Sequence, residues 1–529
     1  MAKKYDAVVI GGGHNGLTAA AYLAKAGRDV LLLERRHVLG GAAVTEEVHP
    51  GFKFTVCSYV VSLLRPEIIR DLMLPKFGLR IVPLEASFTP FPDGRSLCRW
   101  PDPAQTREEI RKFSKKDADI YPEFGRSMGK LARFAKPIID SNAPDPMSMR
   151  PKDVLQLLGF GKRFRELGED LALLQFKLTT MSAVDFLSEW FESDELMSPM
   201  ACSGIIGTFL GVKSPGTAYV LLHHYMGEID GSSRAWGFPV GGTGAVSEAI
   251  ASAARHFGVE IRTETSVAKV RIRGGKADGV VLENGDEIDA RAVVSGCDPR
   301  LTFMRFVGEE HLDPDFVTSI KRYKFRGSSG KVNLALDRFP EFACRPGDGP
   351  HVRGDVAICP STDYLETAYD QAKYGDFSDR PYINVVFPSL LDRGMAPAGK
   401  HVMSCFVQYA PYAIKEGPSR WPERREAFGD AVIDTLAEYM PTLKEDILHR
   451  QVLTPWDLEQ EFGLSEGNIF HGELGLEQLL FQRPVSGWAR YATPVKSLWL
   501  CASGAHPGGG VMGAPGALAA KEMLRRGAV

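Results

Sequence analysis

Gly11, Gly13 and Gly16 stand in the spacing G-x-G-x-x-G, and Glu34 follows Gly16 by eighteen positions. Each residue type answers one need of dinucleotide binding. Gly11 allows a tight turn, Gly13 leaves bare backbone where a pyrophosphate can approach, and Gly16 lets a helix pack closely on a strand. A helix starting at these glycines points free amides and partial positive charge at the phosphates. Glu34 accepts hydrogen bonds from ribose hydroxyls and disfavours a ribose that carries a 2′-phosphate. The next stretch, residues 35–43, holds Arg36, Gly40, Gly41 and Ala42. Its small residues let a second loop lie against the same ligand, with Arg36 near a ribose or phosphate.

These residues need elements to hold them. Residues 7–10 form an apolar run suited to a strand buried on both faces, 19–26 read as a helix closed by Gly27, and 30–33 read as a second buried strand ending at Glu34. A helix entry at residues 241–244 repeats the glycine chemistry but follows no strand with an acid at the right distance, so it is not a second fingerprint. Strands are expected at 259–261, 267–272 and 292–295, with Asn284-Gly285 as a hairpin turn. Near the end, a strand at 497–501 leads into a glycine-rich segment, 503–513, that contains Gly504, His506, Gly510 and Met512. Its glycines suit close approach of backbone to a flat ligand. The helix that follows ends in basic residues and a glycine, as a helix C-terminus should.

Between these parts, residues 45–100 read as strands and turns, and helical periodicity dominates from 108 to 189. Residues 196–226 are the most apolar of the chain; buried core or the wall of an apolar cavity is expected, with a membrane-touching face as the alternative. Residues 300–489 form a long mixed insertion with strands at 332–336, 382–387 and 401–409 and a helix at 425–439.

The totals exclude several classes. A chain of 529 residues with 44% hydrophobic and 24% charged residues has the composition of a globular protein with large cores. A net charge of −3 leaves no electrostatic footprint for nucleic acid. Eight scattered cysteines include no C-x-x-C pair and no zinc spacing, so no metal site is expected. No secretory signal or transmembrane run is visible, which gives an expected cytoplasmic or peripheral-membrane location.

Taken in order, the Gly11–Gly13–Gly16 fingerprint with Glu34, the Gly40-Gly41 loop, the glycine helix entry at 241–244, Val267 and the closing glycine segment resemble the flavin amine oxidase and phytoene desaturase superfamily over nearly the whole chain. The runs 12–17, 41–45 and 506–510 are most similar to its phytoene-dehydrogenase-related branch. The resemblance implies an α/β fold (mixed α+β). A Rossmann-like FAD-binding domain is assembled from residues 1–75, 236–300 and 490–529. The substrate-binding domain, a mixed sheet with helices, comprises 76–235 and 301–489, with a helical part around 108–230. It implies one FAD, with Glu34 on the adenosine ribose, Arg36, Gly40, Gly41 and Ala42 along ribose and pyrophosphate, Val267 against the adenine, and Met512 offering an amide to the pyrimidine edge of the flavin. Lys331 occupies the place where amine oxidases carry a lysine that holds a water near flavin N5, with a surface lysine at a strand start as the other reading. His506 is read either as lying beside the isoalloxazine or as a plain loop histidine, whereas His223-His224-Tyr225 reads first as a core cluster and second as cavity lining.

The implied activity is an FAD-dependent oxidoreductase that takes hydride from a hydrophobic, isoprenoid- or lipid-like small molecule to flavin N5, with oxygen, a quinone or another acceptor reoxidising the cofactor. Two rivals follow from the same scaffold: a carotenoid ketolase or isomerase, and a non-enzymatic binding protein similar to GDP-dissociation inhibitors. Disulfide reductase chemistry is excluded by the missing cysteine pair.

Overall fold

The computed structural model describes residues 3–529 except 144, 230, 231 and 234. Two seven-stranded sheets organise it. The first begins with β1 (Lys4–Ile10), continues through α1 (His14–Lys25) and returns as β2 (Val30–Leu33). β1 lies between β2 and the strand Glu287–Ser295, parallel to both, and Glu260–Arg262 extends the sheet beyond β2. The other edge of Glu287–Ser295 is shared by two strands. Its first half pairs with the hairpin strand Lys276–Leu282, and its second half pairs in parallel with Leu498–Leu500. Ile10 is level with Leu33 and Ser295, and Ser295 with Leu500. The loops that leave these strands therefore emerge together at one carboxyl edge, where open α/β sheets bind ligands.

α1 starts at His14, five residues earlier than the apolar pattern suggests, because the fingerprint glycines themselves form its entry. It packs between Gly244–His256 and the last helix, Ala514–Arg525. Gly516 makes the second contact possible, since a Cβ there would sit 2.1 Å from the Asn15 carbonyl oxygen. The two ends of the chain are thus in direct contact beside the crevice.

The second sheet runs Ile447–Leu453, Ser329–Leu336, His401–Gln408, Tyr382–Val386, Asp355–Ile358, Ser87–Pro90 and Ser96–Arg99. All its pairings are antiparallel except that of Asp355–Ile358 with Ser87–Pro90. Every residue of Ser329–Leu336 is buried, and alternation divides it into two faces. Val332, Leu334 and Leu336 enter a core shared with Phe428 and Val432 of the helix Trp421–Ala437. Lys331, Asn333 and Ala335 face the opposite way, towards Phe52–Thr55.

The apolar stretch 196–226 is interior. Leu196, Met200, Ile205, Leu221 and Leu222 all belong to one buried cluster, so this segment offers no face to a membrane. Among the described residues, no helix is long and apolar enough to cross one.

Candidate functional site

A cavity of about 640 Å³ opens at the carboxyl edge of the first sheet and continues to the Lys331 face of the second. Its wall includes Gly11, Gly13, Gly16, Glu34, Arg36, Gly40, Gly41, Ala42 and Val267 from the nucleotide side, and Lys331 and Gly510 from the far side.

Backbone makes the first half. Gly11 adopts φ +94°, and a Cβ on Gly16 would lie 2.2 Å from the Gly11 carbonyl oxygen, so turn and helix entry both demand glycine. A Cβ on Gly13 meets no protein atom within 4 Å; that position faces open cavity. The second loop closes on the first where the Gly40 amide donates to the Gly12 carbonyl oxygen at 2.9 Å. Glu34 is held by two backbone amides, Gly12 to Oε2 at 2.7 Å and Arg36 to Oε1 at 2.9 Å. Arg36 donates to both oxygens of Glu46, at 3.0 and 3.1 Å, and its guanidinium lies 4.6 Å from the Phe462 ring centre. Its Nη1 is buried with no hydrogen-bond partner among the described residues, as are Asn15 Oδ1, Ser329 Oγ and His471 Nδ1 on the same wall. A polyoxygenated ligand in the cavity satisfies such donors and acceptors, which is the condition a dinucleotide must meet here.

Side chains make the second half. Lys331 Nζ donates to the Thr55 carbonyl oxygen at 2.9 Å, to Asn333 Oδ1 at 3.0 Å and to Ser404 Oγ at 2.6 Å. Those three acceptors account for all three ammonium protons. Burial, with no carboxylate in contact among the described residues, lowers its pKa from 10.5 to about 8. Tyr59 and Phe406 stack at 5.6 Å beside it, and Nζ lies 5.8 Å from the Tyr59 ring centre. His224 stacks on Trp236 at 6.2 Å, both on the wall. Of the pair His223-His224, only His224 reaches the cavity.

Three residues expected at the cofactor, Gly504, His506 and Met512, have their side chains or Cα off this wall. His506 is off the wall: its Nε2 meets the carbonyl oxygens of Ile138 and Ser141, each at 3.0 Å, and burial takes its pKa down to about 4. Its ring is a neutral tie between the closing loop and the helix Lys115–Ile139. Gly504 packs against Pro299 instead, where a Cβ would come within 2.3 Å of that ring. Met512 turns its side chain into the apolar core, while Gly510 and Val511 take the wall position. Sequence reasoning also missed His14, whose Nε2 lies 3.2 Å from the Gly510 carbonyl oxygen, and Tyr59. His14 sits inside the fingerprint and was legible there; Tyr59 carries no local signal.

Cys57 and Cys297 both face the cavity, and burial pushes each thiol up to about 12, so neither is a thiolate at neutral pH.

Residues 16–465 match the model of the flavin containing amine oxidoreductase family. The chain belongs to that family. It is an FAD-dependent oxidoreductase, working on a small-molecule substrate with an electron acceptor. Pyridine nucleotide-disulfide oxidoreductase domain-containing protein 2 of Rattus norvegicus is 42% identical over 544 residues, covering 99% of this chain and 94% of the rat protein. One of the limonene dehydrogenase polypeptides of Castellaniella defragrans is 28% identical over 553 residues, covering 99% of this chain and 95% of its own length. Among solved structures, an oxidoreductase from Methanosarcina mazei shares the fold with a TM-score of 0.60 at 17% identity, covering 98% of this chain and 99% of that one. The Gly11–Gly16 turn, Glu34, the Arg36–Ala42 loop and Val267 thus share one cavity with Lys331.

Proposed function

We propose that this flavoenzyme oxidises a neutral hydrophobic small molecule of isoprenoid or lipid-like character. One observation carries the reading. Lys331 shares the cavity wall with Tyr59, Phe406, Trp236, Ile206, Ile469 and Phe470, and among the described residues its Nζ has only neutral oxygen partners, no carboxylate. A cationic amine brought there meets a buried ammonium and no counter-charge, which costs several kcal/mol. An apolar substrate gains from the same wall, at about 25 cal/mol per Å² covered. The similarity to a limonene dehydrogenase polypeptide supports the same substrate class.

Bound FAD supplies a two-electron acceptor. The chain's own part is placement: the aromatic pair orients the substrate, the enclosing wall excludes water, and Lys331 holds or releases a proton at Nζ near neutral pH. Dioxygen or a quinone serves as the final acceptor in this reading. The division into an FAD-binding part (1–75, 236–300, 490–529) and a substrate part (76–235, 301–489) goes with it.

The test is anaerobic. Purified protein is mixed with terpenes, fatty acyl compounds and primary amines while the flavin absorbance is followed. Bleaching by the first two classes alone supports the proposal; bleaching by amines alone overturns it.

A further inference from the structure

Seven of the eleven large apolar side chains exposed among the described residues fall between Met147 and Phe176. The remaining four are scattered through the chain, so this clustering is not the ordinary background of apolar surface. Met147 and Met149 are more than four-fifths exposed, and Leu155, Leu158, Leu173 and Phe176 more than half. Two consecutive helices carry the last four, Pro151–Glu166 and Glu169–Thr180, separated only by Leu167 and Gly168. Spacings of three residues (155 with 158, 173 with 176) put each pair on one helix face.

The outward placement is enforced from inside. Asp153 is buried and paired with Arg490 at 2.7 Å, Gln156 donates to the Asn142 carbonyl oxygen at 2.8 Å, and Phe160 packs on Phe134. With that side pinned to the body, Leu155 and Leu158 have no way inward.

Charge says what covers the face. Arg150, Lys152, Lys162, Arg163 and Arg165 are exposed within it, and only Lys162 has an ion-pair partner among the described residues, Glu166 at 3.8 Å. Arg126, Lys130 and Arg133 continue the exposed cations along the adjoining helix, again without ion pairs among the described residues. The opposing exposed acids are Glu166, Glu169 and Asp170 at the turn and Glu123 on the adjoining helix. A chain of net charge −3 thus carries a local surplus of unpaired cations around this cluster of exposed apolar side chains. Apolar side chains interleaved with arginine and lysine on short surface helices suit the headgroup–acyl boundary of an anionic bilayer. We propose that residues 147–176 dock this protein in the plane of an anionic lipid membrane. The inference is independent of the substrate reading.

The experiment is vesicle flotation of the full-length, flavin-loaded protein. It compares phosphatidylcholine alone with an equimolar mixture of phosphatidylcholine and phosphatidylglycerol. The expected result is flotation with the mixed vesicles, weakened by salt. Arg163→Gln with Arg165→Gln lowers the partition coefficient about fivefold per cation removed, and Leu158→Gln with Phe176→Gln abolishes flotation, all with unchanged flavin content. Flotation that ignores these substitutions overturns the proposal, as does a wild-type protein that stays in the aqueous fraction at both compositions. So does a concentration-dependent dimer, seen by sedimentation, that Leu158→Gln with Phe176→Gln dissolves in the absence of lipid: the face is then an interface between copies.

Discussion

The two ends of the cavity are made of different materials. Around β1 and β2 the wall is backbone: glycine turns, a helix entry and one carboxylate held by two amides. Around Ser329–Leu336 the wall is side chain: an ammonium in a cage of three acceptors, flanked by stacked aromatic rings. A backbone site tolerates almost no added atoms but depends little on distant residues. A side-chain site tolerates changes of shape and depends on strands brought together from distant parts of the chain. Substitutions at the two ends should therefore fail in different ways.

The largest effect is expected at Gly16. Gly16→Ala forces a Cβ onto the Gly11 carbonyl oxygen; overpacking of this kind costs about 3 kcal/mol, and the variant should purify without flavin colour. Gly13→Ala is the control within the same turn. Its Cβ meets only cavity, so the melting temperature should hold while flavin affinity falls. A Gly13→Ala protein that melts early would break the distinction between fold-bearing and ligand-facing glycines.

Next comes Lys331. Below pH 8 both folded and unfolded chains carry its proton, and the buried charge weighs against the fold. Between about 8 and 10.5 the folded state sheds that proton while the unfolded state keeps it, so stability rises with pH across the window. Relative to Lys331→Met, the wild type should gain on the order of 3 kcal/mol there, read from denaturant melts at several pH values. The pH profile of kcat/KM should also show a step near 8 that the variant lacks. A flat stability difference would mean that the cage, not burial, sets the protonation of this lysine.

Glu34→Gln tests the backbone end more gently. The carboxylate accepts from two amides, and loss of charge assistance should weaken FAD by about tenfold, roughly 1.4 kcal/mol, measured by equilibrium dialysis. Turnover at saturating FAD should stay close to that of the wild type.

The smallest effect on chemistry is expected at His506. His506→Gln should cost about 1 kcal/mol of stability and leave the flavin spectrum and turnover unchanged. Burial keeps this ring neutral, with a pKa near 4 against 6.5 when unfolded, so it contributes stability that is lost as pH falls from 6.5 towards 4. The variant should lose less stability across that interval. A changed flavin spectrum would put His506 back beside the ring and blur the contrast between the two ends.

Most of the first sheet could be read from the chain. The apolar runs at 7–10 and 30–33 and the hairpin around Asn284-Gly285 appear where local pattern puts them, because a doubly buried strand and a tight turn are decided by a few neighbouring residues. The closing segment was legible only as a glycine-rich approach to a ligand. Which of its residues face the cavity depends on how 503–513 folds back over Pro299 and Ile138, and no local spacing encodes that. Hence Gly510 is on the wall while Gly504, His506 and Met512 are not.

By itself the amino-acid sequence determined the strand, glycine turn and helix entry at Gly11–Gly16 and the acid Glu34 at the end of the next strand, since all of them are close along the chain. Only the tertiary structure decided that Lys331 is buried among Thr55, Asn333 and Ser404, that Tyr59 meets Phe406, and that the apolar stretch 196–226 turns inward while 147–176 turns out. The reason is physical: burial and proton affinity belong to neighbourhoods assembled from distant strands, and they exist only once the sheets have closed.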